Sequence, residues 1–218
     1  MKILYADNQI VVCLKPAGIL STDEPGGLPE LLRRELGTDN IRSVHRLDRV
    51  VGGLMLYARS RHAASDLGKQ VMAGGFGKEY FAVVEGCPES EKGRMRDHLW
   101  RNKAERKTYV LQEPAEESQE ALLDYELLES SGGLSAVRVL LHTGRTHQIR
   151  AQFSSRDLPL CGDRKYGGSG DAELALWSCR LEFSHPKTGE RMEFFHLPPE
   201  QYPWNKFQCF KENEIDER

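Results

Sequence analysis

The chain has 218 residues, 30 Lys and Arg against 33 Asp and Glu for a formal charge of −3, and 39% hydrophobic residues. That is an ordinary globular composition, long enough to bury a core without disulfides or metal, and no apolar run approaches the roughly 18 residues of a membrane span. The five cysteines (Cys13, Cys87, Cys161, Cys179, Cys209) are odd in number and form no CxxC pair, which argues against a disulfide framework or a cysteine-based zinc site.

Ile3 to Tyr5 and Ile10 to Leu14 flank Asp7-Asn8, a pattern that predicts two short strands joined by an Asx turn. Leu28 to Leu36 reads as a helix, with Pro29 in the first turn and Gly37 as its stop. Leu54 to Ala58 predicts a buried strand, Ser60 caps a helix running to about Met72, and Gly74-Gly75-Phe76-Gly77 breaks it. Lys78 to Glu85 is the next strand, with Tyr80, Ala82 and Val84 on one face. Alternation recurs over Leu134 to His142, and more weakly near 106–111, 121–129, 180–184 and 191–196. Strands outnumber helices without regular βαβ alternation, so an α+β domain with a mixed sheet is expected, as one compact unit spanning 1–210. Residues 211–218 read as a charged tail. The first twenty residues lack the order of a signal peptide, so a cytoplasmic monomer is expected, with its cysteines as reduced core thiols.

Charge is unevenly spread. The net charge argues weakly against a nucleic-acid partner, but residues 92–107 carry seven bases and 113–129 carry seven acids with no base, so a basic surface confined to one face is compatible with the negative total. The plainer reading is two solvated runs facing opposite ways. Two stretches concentrate polar residues beyond what packing requires: Val44-His45-Arg46-Leu47-Asp48, and Gly144-Arg145-Thr146-His147-Gln148-Ile149-Arg150. Asp48 precedes paired glycines and an apolar strand, so its carboxylate should lie against the protein body and need a partner. Thr146 is placed to cap a helix bearing Gln148 and Arg150, and a structural Asp–Arg pair would account for both stretches. His45, His142 and His147 have no zinc-hydrolase spacing, and no metal site is expected.

With these stretches in hand the chain resembles the RluA-type pseudouridine synthases. The resemblance rests on HRLD at 45–48 with Gly53, Lys78-Glu79-Tyr80, GRTHQIR at 144–150, and Leu160-Cys161-Gly162-Asp163 with Tyr166-Gly167. KPAG at 15–18 and the turn around His185-Pro186 extend it over about residues 3–199. It implies the pseudouridine synthase fold, a mixed and largely antiparallel central sheet flanked by helices with a cleft across it. It further implies isomerisation of uridine to pseudouridine in ribosomal or transfer RNA, ribosomal RNA ahead, without cofactor or metal. Asp48 aligns with the family's nucleophile, Arg150 with its active-site arginine and Tyr80 with its active-site tyrosine. Arg46 aligns with the residue that fills the gap left by the flipped nucleotide. His45, Arg145, Thr146 and Gln148, with Arg101, Lys103, Arg106 and Lys107, complete the expected RNA-contacting set. Four positions depart from the family pattern: Val51 and Gly52 where Thr-Ser is usual, and Gln152 and Trp177 where His is common. They leave room for the rival reading, a non-catalytic RNA-binding or ribosome-assembly protein that keeps the synthase scaffold. No S4-like domain is expected beside the catalytic fold, and RNA affinity is expected to come from that fold alone.

Overall fold

A computed structural model describes residues 1–170 and 172–211; of the expected tail, all but Lys211 lies outside the described residues. The chain groups into two compact units. The first is Met1–Lys78 with Trp177–His196, the second Glu79–Leu176 with the residues from Leu197 on.

In the first unit, β1 (Lys2–Ala6) and β2 (Ile10–Lys15) form the predicted hairpin. Asp7 Oδ1 accepts from the amides of Gln9 (2.7 Å) and Ile10 (2.8 Å), which makes the Asx turn. Helix α1 (Leu28–Leu36) has Pro29 in its first turn and ends on Gly37 at φ 59, a left-handed position that Gly occupies at little cost. The sheet runs β1-β2-β4-β10, where β4 is Gly52–Ala58 and β10 is Leu176–Ser184. The two-residue β3 (Arg42–Ser43) lies beside β4, and β11 (Arg191–Phe195) beside β10. All pairs are antiparallel except β4 with β10, where Gly52 faces Trp177 and Gly53 faces Ser178. Helix α2 (Arg61–Met72) starts as expected, Ser60 Oγ accepting from Ala63 N at 3.0 Å. Ala63 and Leu67 of this helix join Ile10, Val12, Leu54, Leu56, Leu181 and Phe183 in one core.

The second unit is antiparallel throughout, in the order β5-β9-β8-β6-β7. These strands are β5 (Gly77–Glu85, in this unit from Glu79), β6 (Lys92–Asn102), β7 (Lys107–Leu111), β8 (Gln119–Ser131) and β9 (Leu134–Leu141). Strand β6 went unread in the sequence, and it changes the meaning of the charge runs. The basic run and the acidic run are neighbouring strands: Lys92 pairs with Glu126 (2.9 Å), Arg94 with Asp124 (2.6 Å) and Arg96 with Glu120 (3.1 Å). The expected opposite-facing runs are therefore cross-strand partners, and the first half of the expected basic face is neutralised in place. Helix α3 (Gln148–Ser154) is the third helix, and Ala151 packs with Leu99, Ala121 and Tyr166. Of the cysteines expected in the core, Cys13, Cys161 and Cys179 are buried, Cys209 is half-buried and Cys87 is exposed. No helix among the described residues is long and apolar enough to cross a membrane.

Candidate active site

In the first unit, Asp48 sits half-buried on the connection between β3 and β4, which has no regular structure of its own and is held by side chains. Ser21 Oγ donates to Leu47 O (2.7 Å) and accepts from Leu47 N (3.1 Å). Arg49 is tied to Gly18 twice: Gly18 N donates to Arg49 O at 2.8 Å, and Arg49 Nε donates to Gly18 O at 2.8 Å. Val51 N closes a turn back onto Asp48 O at 3.0 Å. Beneath lies Lys15, with no exposed surface, its ammonium donating to the carbonyls of Pro16 (3.0 Å), Ile19 (2.7 Å) and Arg49 (3.1 Å). Burial pushes this lysine down to about 8, and the charge of Asp48 works against that shift. The lysine of KPAG is thus a cation set under the Asp48 loop. The sequence offered the motif but no sign that its ammonium would turn inward.

His45, expected to touch RNA, is occupied inside the fold. Its Nε2 accepts from Leu56 N at 3.1 Å, its ring lies 5.2 Å from that of Phe76, and its Nδ1 is shut from solvent. Burial, with Lys78 nearby, holds it down to about 3, so the ring is neutral and braces the loop onto β4. Arg46 is exposed, as an RNA contact requires.

In the second unit, Tyr80 lies on β5 opposite Val139 of β9, with its ring buried. Arg150, on α3, is also buried, and its Nε and Nη2 make a two-point pair with Asp163 at 2.6 and 2.8 Å. The guanidinium stands 4.9 Å from the centre of the Tyr166 ring. Asp163 and Tyr166 stand in motifs that give no sign of their task, which is to hold Arg150. The segment that carries them is bound to β5 through Cys161 N to Val83 O (2.9 Å) and an isolated bridge between Val84 and Leu160.

Thr146 does not cap α3. The cap position falls on His147, in a left-handed conformation at φ 56, without a side-chain capping bond, while the carbonyl of Thr146 accepts from Thr108 Oγ1 at 2.9 Å. Gln148 is only 3% exposed, so it braces the loop in place of touching substrate. Its Oε1 accepts from Arg145 N (3.0 Å) and Thr143 Oγ1 (2.8 Å), and its Nε2 donates to Leu122 O (3.1 Å). Arg145 is exposed, with Nε on Glu120 O at 3.0 Å.

The remaining basic residues cluster at the β6–β7 hairpin. Lys103 and Arg106 are exposed on its turn. Arg101 donates toward Thr108 Oγ1 (3.4 Å) and His147 Nδ1 (3.3 Å). An arginine only donates, so Nδ1 is an acceptor, and the Tyr166 hydroxyl 2.8 Å away donates to it while accepting from Thr108 N at 2.7 Å. Lys107 lies over the rings of Tyr109 (5.3 Å) and Tyr166 (5.2 Å).

Residues 9–155 match the family model described as RNA pseudouridylate synthase. The chain belongs to that family. The synthase is 33% identical over 217 residues to the dual-specificity RNA pseudouridine synthase RluA of Vibrio vulnificus (strain CMCP6), which spans 93% of this chain and 84% of that protein. An uncharacterized RNA pseudouridine synthase of Bacillus subtilis (strain 168), YlyB, is 30% identical over 214 residues, covering 92% of this chain and 70% of its own. Among solved structures, human RNA Pseudouridylate Synthase Domain Containing 1 superposes with a TM-score of 0.78 over 91% of this chain and 83% of that one, at 23% identity. The last shows the fold, and the RluA-named relatives place the synthase in the RluA type. It is an isomerase of RNA uridine.

Proposed function

We propose that the synthase isomerises specific uridines of structured RNA with Asp48 as the nucleophile. The observation that carries this reading is the fastening of the Asp48 loop. The loop that carries this half-buried carboxylate is held through the backbone of Leu47, Arg49 and Val51, with the buried Lys15 ammonium bonded to it at Arg49 O. The carboxylate adds to the substrate, the N1–C1′ bond breaks, the uracil turns and C5 bonds to C1′; the bond to the carboxylate breaks, which returns Asp48 to its starting state, the C5 proton leaves and N1 takes up a proton from water. Tyr80 supplies a ring face for the base and an oxygen to relay that proton to water. Arg150 brings positive charge whose orientation Asp163 fixes. Arg46 takes the space vacated by the flipped nucleotide. The exposed basic hairpin residues, Lys103 and Arg106, with Arg101 and Lys107, bind phosphates.

Tritium release from RNA labelled at C5 of uridine tests the chemistry. Asp48→Asn keeps the shape of the side chain but is a poor nucleophile, and release should fall below about one per cent of wild type with RNA affinity retained; more turnover than that removes Asp48 from the role. Mapping pseudouridines in total RNA with and without the gene identifies the substrate. A site lost from ribosomal RNA, or from transfer RNA, decides between the two.

A further inference from the structure

The Asp48 loop is tied to residues 15–21 on one side, and on the other it runs into β4 at Gly52. A Cβ placed on Gly52 would stand 2.6 Å from Cζ3 and 2.9 Å from Cε3 of Trp177, closer than real side-chain carbons come. The indole cannot swing aside freely, because its Nε1 donates to His196 O at 3.0 Å, and the carbonyl of Lys15 closes the remaining side at 3.4 Å. At Gly53 the φ of 115° and the adjacent backbone of Ser178 exclude any side chain. Gly52 is different, since only the indole excludes a Cβ there. The two residues are also direct partners across the parallel β4–β10 pair.

We propose that Trp177 is a positioning residue for the nucleophile loop. Its indole occupies the space that a side chain at position 52 would fill, and so fixes where the loop that begins at Asp48 joins the sheet. Loss of that support moves the carboxylate relative to its target without removing any group that binds RNA. The proposal rests on the reading of Asp48 as the nucleophile.

The test is a double-mutant cycle of Gly52→Ser, Trp177→Ala and the two combined, with Asp48→Asn alongside. Tritium release is measured on C5-labelled total RNA from cells lacking the gene, at limiting and saturating RNA, together with the thermal midpoint. Gly52→Ser should lower kcat about tenfold or more with KM within about twofold, since small misplacements of a reacting group carry penalties of that size. Trp177→Ala should lower kcat less. The combined variant should turn over at least about threefold faster than Gly52→Ser, because the clash is gone. Should Gly52→Ser fail to fold, recovery of soluble, active protein in the combined variant carries the same meaning. Additive losses, a Gly52→Ser variant with wild-type kcat, or a loss confined to KM or to the midpoint overturns the proposal. An active Asp48→Asn variant overturns the nucleophile reading instead.

Discussion

Removing the carboxylate of Asp163 should disable the synthase without touching any residue aligned with the chemistry. Arg150 and Asp163 are 5% and 2% exposed, and two charge-assisted bonds of 2.6 and 2.8 Å join them. Asp163→Ala removes a two-point counter-charge from a buried guanidinium, and breaking such a pair costs about 3–5 kcal/mol. Against a total stability of about 5–15 kcal/mol this is a large fraction, and for a chain of this size it lowers the thermal midpoint by roughly 6–20 °C. Arg150→Met combined with Asp163→Leu should regain most of that loss, because an apolar pair of similar volume carries no desolvation penalty. Its turnover should stay near zero, since the positive charge is gone. Thermal unfolding by circular dichroism and tritium release at 25 °C read the two quantities separately. An Asp163→Ala variant with a midpoint within about 2 °C of wild type and full turnover would refute the assignment of Asp163 as the holder of Arg150.

Lys15 makes a pH prediction with opposite signs for stability and activity. Its folded value of about 8 lies below the ordinary 10.5, so between those values the unfolded chain binds more protons, and this group's contribution to stability rises with pH. Activity should fall from about pH 8, because a neutral amine has two N–H groups for three carbonyls and no charge beneath Asp48; a flat tritium-release profile from about pH 7 to 9.5 would refute this. Neutralising Arg101, Lys103, Arg106 and Lys107 should flatten the salt dependence of RNA binding by up to about 0.7 in logarithmic slope per lost contact. Neutralising Lys92, Arg94 and Arg96, which already face acids, should change that slope far less, and equal effects of the two sets in filter-binding titrations would refute the distinction. Arg46→Ala should slow turnover on folded RNA more than on RNA presenting the uridine unstacked; equal losses on both make Arg46 a plain phosphate contact.

Elements with local signals were legible. Both long helices announce themselves by their ends, Pro29 and Gly37 for α1 and Ser60 for α2, and Asp7 marks its turn. Strand β6 was not, because its outward positions are Lys92, Arg94 and Arg96 and the buried positions that would betray a strand are only Met95 and Leu99. Its outer face is specified by acids on β8, a partner that no local window contains. The same limit applied to the site. Asp48, Tyr80 and Arg150 stand in recognisable motifs, whereas the supports include partners outside those motifs: Arg49 for Lys15, Leu122 for Gln148, Asp163 for Arg150 and His196 for Trp177. Thr146 misled for the converse reason: a threonine before a helix is a sound capping signal, but its carbonyl was already claimed by Thr108 and His147 took the cap position.

The β4–β10 pair also sets an order in time. Gly52 and Trp177 are partners across more than half of the chain, and β10 is in turn flanked by β11, which ends at Phe195. As the chain leaves the ribosome, β1, β2, β4 and α2 emerge early, but the indole that bears on Gly52 arrives only after every strand of the second unit has been made. Long-range parallel pairing of this kind is slow to form. The nascent protein therefore carries Asp48 from an early stage and gains the Trp177 contact beside its loop near the end of synthesis, so chains truncated before residue 177 should lack the mature geometry around Asp48 even where the motif itself is complete.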